Sequence, residues 1–247
     1  MKSKTVGIFT DTHGNYLALT AMLNYYFKQR GIKKIFHLGD IVSIGPRPVE
    51  CMERLTSDKD IVCILGNHDN DYLNDNTVPP ALSHVSKEHK RFMFDLLGDK
   101  YKQAVSEFPK LIIEDYFGVK VAFLHYGFAR EIDLKRNKKA VFRPIDPNPT
   151  ANSFDKMFEA IEADIIFFGH KHSPVDLKGK KVYCDVGSVG CHKGEFARGV
   201  VFTVYEDKSY NIERVTVPYD RNETLTDMNE CNIPCADHIQ KYYFAAD

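Results

Sequence analysis

Thr5-Val6-Gly7-Ile8-Phe9-Thr10-Asp11-Thr12-His13 is the stretch on which the reading of this chain turns. An apolar run of strand length breaks into Asp-x-His, and residues 17–26 then carry apolar side chains at helical spacing. The pattern recurs. Ile35-Phe36-His37-Leu38 runs into Gly39-Asp40, with a helix expected from near Pro48, and Ile61-Val62-Cys63-Ile64-Leu65 runs into Gly66-Asn67-His68-Asp69. Val121-Ala122-Phe123-Leu124 meets His125, and Ile165-Ile166-Phe167-Phe168 meets Gly169-His170-Lys171-His172. Alternating strands and helices imply a parallel sheet with helical crossovers. Such sheets bind ligands beyond the carboxyl ends of their strands, so the five polar clusters are expected to converge.

Further strands are expected at 110–116, 119–124, 182–186, 199–205 and 210–217, with Phe117-Gly118 and Glu206-Asp207-Lys208 as turns. Residues 79–97 look mostly helical, as do 225–243, which Pro234 interrupts. The expected fold is α/β, a four-layer α/β/β/α sandwich of two packed mixed sheets with helices outside. It forms one domain over 1–247, with a core at about 5–220 and a C-terminal helical extension at about 221–247. Residues 130–152 fit no element; with Lys135, Arg136, Lys138, Lys139 and Arg143 they read as a solvated loop in preference to a cationic lid.

The composition suits a globular domain: 247 residues, 43% hydrophobic and 27% charged. Lys plus Arg (33) against Asp plus Glu (34) leaves a net charge of −1, which argues against stable nucleic-acid binding. No run of about 18 apolar residues crosses a membrane. Met1-Lys2-Ser3-Lys4 leads straight into the first strand without a cleavage site, so a cytoplasmic address is expected. Six scattered cysteines read as ordinary reduced thiols.

Aspartate, asparagine and histidine without thiolate form a nitrogen and oxygen ligand set. It favours Mn, Fe, Zn, Ni or Co, with Mn and Fe foremost, over Ca or Mg. Asp11, His13, Asp40, Asn67, His125, His170 and His172 are too many for one tetrahedral ion, yet they suffice for two ions about 4 Å apart sharing a carboxylate. Two divalent ions and two aspartates leave about +2, a field that acidifies a bridging water and clamps a phosphoryl group. His68 follows a ligand without being needed as one, so it is free to assist the leaving oxygen.

Taken together, Asp11-x-His13, Gly39-Asp40, Gly66-Asn67-His68-Asp69, His125 and Gly169-His170-x-His172 resemble the calcineurin-like metallophosphoesterase superfamily. The segments Gly39 to Pro46 and Gly187-Ser188-Val189-Gly190 point to its small prokaryotic phosphodiesterase branch. The resemblance implies that Asp11, His13, Asp40 and His172 hold one metal and that Asp40, Asn67, His125 and His170 hold the other, with Asp40 bridging. It also implies that His68 is catalytic and that Asp69 orients it. The implied reaction is attack of a metal-bridging hydroxide on phosphorus, in a phosphodiesterase or nucleotide hydrolase acting on small substrates. A serine/threonine protein phosphatase or phosphomonoesterase is the near alternative. A scaffold like the retromer subunit of this fold would show lost ligands, and a nuclease would need a basic groove. Two positions depart from the family pattern: Tyr126 follows His125 and comes within reach of the pocket, and Asp185 stands where the family has asparagine, adding negative charge or a different hydrogen-bonding partner.

Elsewhere, His37 reads as packed behind the ligands, and His84 and His89 as solvent-facing. Arg47 and His192 are candidate substrate contacts, with Arg47 suited to bidentate phosphate binding. Tyr242-Tyr243-Phe244 can dock the C-terminal segment either on the body or on a second copy in a homodimer.

Overall fold

In strands β1 (Ser3–Phe9), β2 (Ile35–His37), β5 (Val119–Leu124) and β6 (Ile165–Phe168), successive side chains point to opposite faces. Val6, Ile8, Phe36, Val121, Phe123, Ile165 and Phe167 therefore share one buried layer, while Phe9, Ile35, Ala122, Leu124, Ile166 and Phe168 belong to the helix-facing core. This double-sided burial is what the continuous apolar runs encode. The computed structural model describes residues 1–79, 85–129 and 140–244.

Those residues also form β3 (Ile61–Cys63), β4 (Leu111–Tyr116), β7 (Val175–Lys178), β8 (Val182–Asp185), β9 (Phe196–Tyr205) and β10 (Tyr210–Pro218). One sheet has the order β10-β9-β1-β2-β3 and the other β4-β5-β6-β8-β7. Within the first, β1, β2 and β3 run parallel, as do β5, β6 and β8 within the second. The sheets face each other through aromatic contacts: Phe36 stacks on Phe123 at 3.9 Å, and Phe167 meets Phe202 edge-on at 5.2 Å. Helices α1 (Tyr16–Asn24) and α2 (Pro48–Ser57) pack Leu19, Met22, Met52 and Leu55 into the helix-facing core, as α6 (Ala151–Met157) and the residue after it do with Phe154 and Phe158. The architecture is thus the expected α/β sandwich of two five-stranded mixed sheets with helices.

Four short elements are not legible in the sequence. β7, α3 (Asn67–Leu73), α5 (Lys102–Ser106) and α6 have four to seven residues, too few for a period to show. Of the expected helix over 79–97, the described residues form α4 (Lys87–Leu97), where the Ser86 hydroxyl accepts from His89 N. Residues 80–84, His84 included, lie outside the described residues, as do Lys135, Arg136, Lys138 and Lys139. Arg143 is described, and its Nε donates to Phe128 O at 2.9 Å. All six cysteines are free thiols.

His89 departs from its expected exposure. It is fully buried: Nε2 accepts from Ile44 N at 3.0 Å and Nδ1 lies 3.3 Å from Pro234 O, so one nitrogen must accept and the other donate. The ring pins Ile44, a β-branched residue held at φ 69°. Burial pushes its pKa from 6.5 down to about 4. Because the folded value is the depressed one, the unfolded chain takes up this proton first on acidification. The contribution is present above pH 6.5 and is lost as pH falls toward 4, the loss reaching roughly 2 kcal/mol at about pH 5. Chemical denaturation at neutral pH and at about pH 5 should show a shallower pH dependence for His89→Gln by that amount. Equal dependences would refute the assignment.

Candidate metal centre

Every candidate ligand lies one to four residues beyond the carboxyl end of a strand: Asp11 and His13 after β1, Asp40 after β2, Asn67 after β3, His125 after β5, His170 and His172 after β6. Five of them hold left-handed backbone, Asp11 (φ 54°), His13 (48°), Asp40 (61°), His170 (76°) and His172 (63°). Such a conformation costs a non-glycine residue about 1 kcal/mol or more, and it persists where the surroundings over-determine it. Here they do. Asp11 N donates to Gly39 O and His13 N to Asp40 O, both at 3.0 Å, and His170 N donates to Asp11 Oδ2 at 3.0 Å. The loops after β2 and β3 touch so closely that a Cβ on Gly66 would lie 2.2 Å from Asp40 N. Only glycine fits there.

The side chains converge in two groups with Asp40 between them. In the first, His13 Nε2 lies 3.0 Å from His172 Nε2 and 3.6 Å from Asp11 Oδ1, which is itself 3.3 Å from His172 Nε2. In the second, His125 Nε2 lies 3.2 Å from His170 Nδ1. Asp40 Oδ2 is 3.8 Å from His13 Nε2 and 3.3 Å from His125 Nε2, so it reaches both groups. The far nitrogens are anchored: His13 Nδ1 lies 3.1 Å from Val42 O and His125 Nδ1 2.9 Å from Leu38 O, which places their protons away from the cluster and their lone pairs toward it.

The cluster holds too few protons to hydrogen-bond itself. Asp11 Oδ1 is fully buried without a hydrogen-bond partner. The inward amide atom of Asn67 lies 2.7 Å from His170 Nδ1, 2.9 Å from His125 Nε2 and 3.1 Å from Asp40 Oδ2, and as an oxygen it meets only acceptors. Buried acceptors that face one another call for a cation, and the donor set fits two divalent transition-metal ions. The electrostatics agree. Burial alone would raise both carboxyls, yet the imidazoles around them hold Asp11 and Asp40 well below the usual carboxylate range. Burial likewise opposes charge on His125, and Asp40 outweighs it, raising the pKa to about 9, so the pocket favours positive charge, a proton or a metal ion, at the inward Nε2.

His68 stands at the edge of the cluster, its ring 5.0 Å from that of His13. Its backbone N donates to Asp40 Oδ1 at 2.8 Å, while its buried Nδ1 has no partner. Asp69 does not orient that ring. Its carboxylate accepts from Asp40 N (2.8 Å), Ile41 N (2.9 Å) and Gly66 N (3.1 Å), so it holds the Asp40 loop, where unpaired amides compete for it more effectively than a side chain. His37 is packed as expected: Nε2 contacts Thr12 Oγ1 at 2.9 Å, and burial pushes its pKa down to about 3.

Other positions differ from expectation. Arg47 grips Asp227 of α7 (Arg221–Glu230) through Nε at 2.8 Å and Nη2 at 2.5 Å. His192 uses both ring nitrogens within its own turn, with Phe196 O and Gly194 N. Tyr126 is buried, its ring 4.8 Å from that of His170 and its hydroxyl accepting from Asp146 N, so it backs a ligand instead of entering the pocket. Asp185 is buried too. It accepts from Gly187 N, the different hydrogen-bonding partner expected, and burial raises its pKa above the usual carboxylate range.

Two residues at the centre are not among those the sequence pattern singles out. Cys191 places its sulfur with a nitrogen of His13 and one of His172, all within 4.8 Å of one another. Tyr243, in the π-helical turn Gln240–Phe244 after α8 (Ala236–Ile239), sets its ring 6.2 Å from that of His172. Phe244 is fully buried in the core, and Arg221 Nη1 donates to its carbonyl at 3.0 Å, so the C-terminal segment docks on its own body. Cys191 directly follows Gly187-Ser188-Val189-Gly190, a signal that could have found it; Tyr243 belongs to the Tyr242-Tyr243-Phe244 cluster, which signals docking but not a place beside the ligands.

A family model described as calcineurin-like phosphoesterase matches residues 4–174. An uncharacterized protein of Methanocaldococcus jannaschii is 28% identical over 239 residues, covering 89% of this chain and 90% of its own length. A solved metallophosphoesterase from Sphaerobacter thermophilus is similar at TM-score 0.72 and 20% identity, covering 96% of this chain and 98% of that one. A hypothetical protein from Pyrococcus horikoshii OT3 is similar at TM-score 0.74 and 18% identity, covering 98% and 99%. At these identities the structural likeness speaks to the fold alone. No helix among the described residues is long and apolar enough to cross a membrane.

Proposed function

This chain belongs to the calcineurin-like phosphoesterase family, and from that premise we propose that it is a two-metal phosphodiesterase or nucleotide hydrolase acting on small substrates. The observation that carries the reading is Asp40 Oδ2, set between two histidine groups in a cluster of facing acceptors. Asp11, His13, Asp40 and His172 would hold one ion, and Asp40, Asn67, His125 and His170 the other. Bound there, two divalent ions supply an acidified water as nucleophile and positive charge for the phosphoryl oxygens.

The remaining chemistry falls to the chain. Asn67 offers an oxygen without charge, so the two carboxylates leave the centre cationic and attractive to phosphate. His68 faces the leaving oxygen. Burial keeps its imidazole below the ordinary histidine range, and the negative charge of an arriving phosphoester acts in the opposite sense, favouring the proton that the departing alkoxide needs. Asp69 fixes the Asp40 loop and so the separation of the two groups. Tyr243 stands with its ring 6.2 Å from that of His172, and a tyrosine beside a metal-binding histidine is placed to contact a small substrate.

The test is turnover of bis-p-nitrophenyl phosphate, p-nitrophenyl phosphate and a phosphoserine peptide by the manganese-reconstituted chain. The diester should be hydrolysed at least about 10-fold faster than the peptide, with no turnover after chelation. A preference for the peptide would overturn the substrate class, and turnover that survives chelation would overturn the mechanism.

A further inference from the structure

The two halves of the centre differ chemically. Around His125, His170 and Asn67 the donors are nitrogen and oxygen alone, whereas a sulfur stands beside His13 and His172. Cys191 is 1% exposed, and its position is tightly set. Its backbone N donates to Ser188 Oγ at 2.8 Å, and that hydroxyl donates to Asp11 O at 2.8 Å. Val189 N and Gly190 N donate to Thr10 O and Asp11 O, and Asn15 Nδ2 donates to Gly190 O. The turn before Cys191 is thus hydrogen-bonded at Ser188, Val189 and Gly190 to the loop that bears Asp11 and His13. The sulfur does not reach the centre by accident of a flexible side chain. Asp11 Oδ1, buried and without a hydrogen-bond partner, lies 3.3 Å from His172 Nε2 and 3.6 Å from His13 Nε2, so the same corner holds a buried carboxylate oxygen facing two imidazole nitrogens.

We infer that Cys191 is a thiolate ligand of the ion held by Asp11, His13, Asp40 and His172, and that it makes the two half-sites selective for different metals. The inference rests on the two-metal reading above. On coordination the sulfur–metal bond replaces the sulfur–hydrogen bond and the proton leaves to solvent, with no change of oxidation state. A soft sulfur donor favours iron, cobalt or zinc over manganese in this half-site, while the all-nitrogen-and-oxygen half keeps the weaker discrimination of its ligand set. A mixed pair follows, with the softer ion beside Cys191.

Cobalt loading reads this directly. The wild-type chain with two bound cobalt ions should show a near-ultraviolet sulfur-to-cobalt charge-transfer band alongside the visible ligand-field bands. Cys191→Ser should lose the first, keep the second and retain two cobalt ions, while Cys184→Ser leaves both intact. In the unmutated zinc-loaded chain, X-ray absorption should show a sulfur neighbour at about 2.3 Å, which needs no variant to fold. Bound cobalt without the charge-transfer band, a band that survives Cys191→Ser, or zinc without sulfur would each overturn the role of Cys191 and leave the two-metal reading standing. Failure to bind two ions at all would overturn that reading, and this inference with it.

Discussion

Replacing Asp40 is expected to give the largest loss of any single substitution, on the order of 10³-fold in turnover, together with loss of bound metal. Its Oδ2 reaches His13 and His125 at once, so removing the carboxylate takes a ligand from each group and one of the two carboxylate charges that hold the ions. Asp40→Asn is the informative variant. Asparagine tolerates the left-handed backbone found at this position (φ 61°), and the amides of residues 40 and 41 remain bound by Asp69, so the fold should survive where the centre does not. Metal content per chain, turnover of the diester and a thermal melt in chelator separate the outcomes. Full metal content with wild-type turnover would remove Asp40 from the bridge.

The second large effect belongs to His68. His68→Ala is expected to retain both metals while turnover falls by about 10²-fold or more, the usual scale for a proton donor or an electrostatic contact to a leaving group. The geometry makes this a demanding test, because ring atoms of His68 come within 4.8 Å of ligand atoms of His13 and Asp40, and a role as ligand is the competing possibility. The two roles diverge in one measurement. Lost metal with a rate that recovers on adding excess metal identifies a ligand; intact metal with a lowered rate identifies a residue that acts on the substrate. Diesters with better leaving groups should suffer less from the substitution, since a weakly basic alkoxide needs little help to depart.

Much of this centre is legible in the sequence. Asp11, His13, Asp40, Asn67, His125, His170 and His172 each follow an apolar run, and the alternation of Val6, Ile8 and Phe9 or of Val121, Ala122 and Phe123 already encodes strands buried on both faces. Parallel strands then carry those residues to one edge as a matter of geometry. What escapes the sequence is whatever depends on the approach of a distant segment. Cys191 stands beside His192 and the Gly187–Gly190 turn in the sequence, but it meets the imidazoles of His13 and His172 only when that turn locks onto the Asp11 loop. Tyr243 reaches His172 across 71 positions because Arg221 and a buried Phe244 dock the C-terminal segment.

Asp69 and His89 show the same division at finer scale. Their types and spacings suit the roles expected of them, an orienter of His68 and a solvent-facing helix residue, and both expectations fail for one reason. Buried backbone amides must find acceptors, and the strained loops after β2 expose several: Asp40 N, Ile41 N and Ile44 N. Asp69 and His89 are drawn to them. Strand patterning and ligand type are properties of short segments, so the layers and the metal-binding character of the site can be read from local stretches of chain. Which amide a carboxylate satisfies, and which sulfur faces which imidazole, depend on close packing between segments far apart in the chain and emerge only when those segments meet.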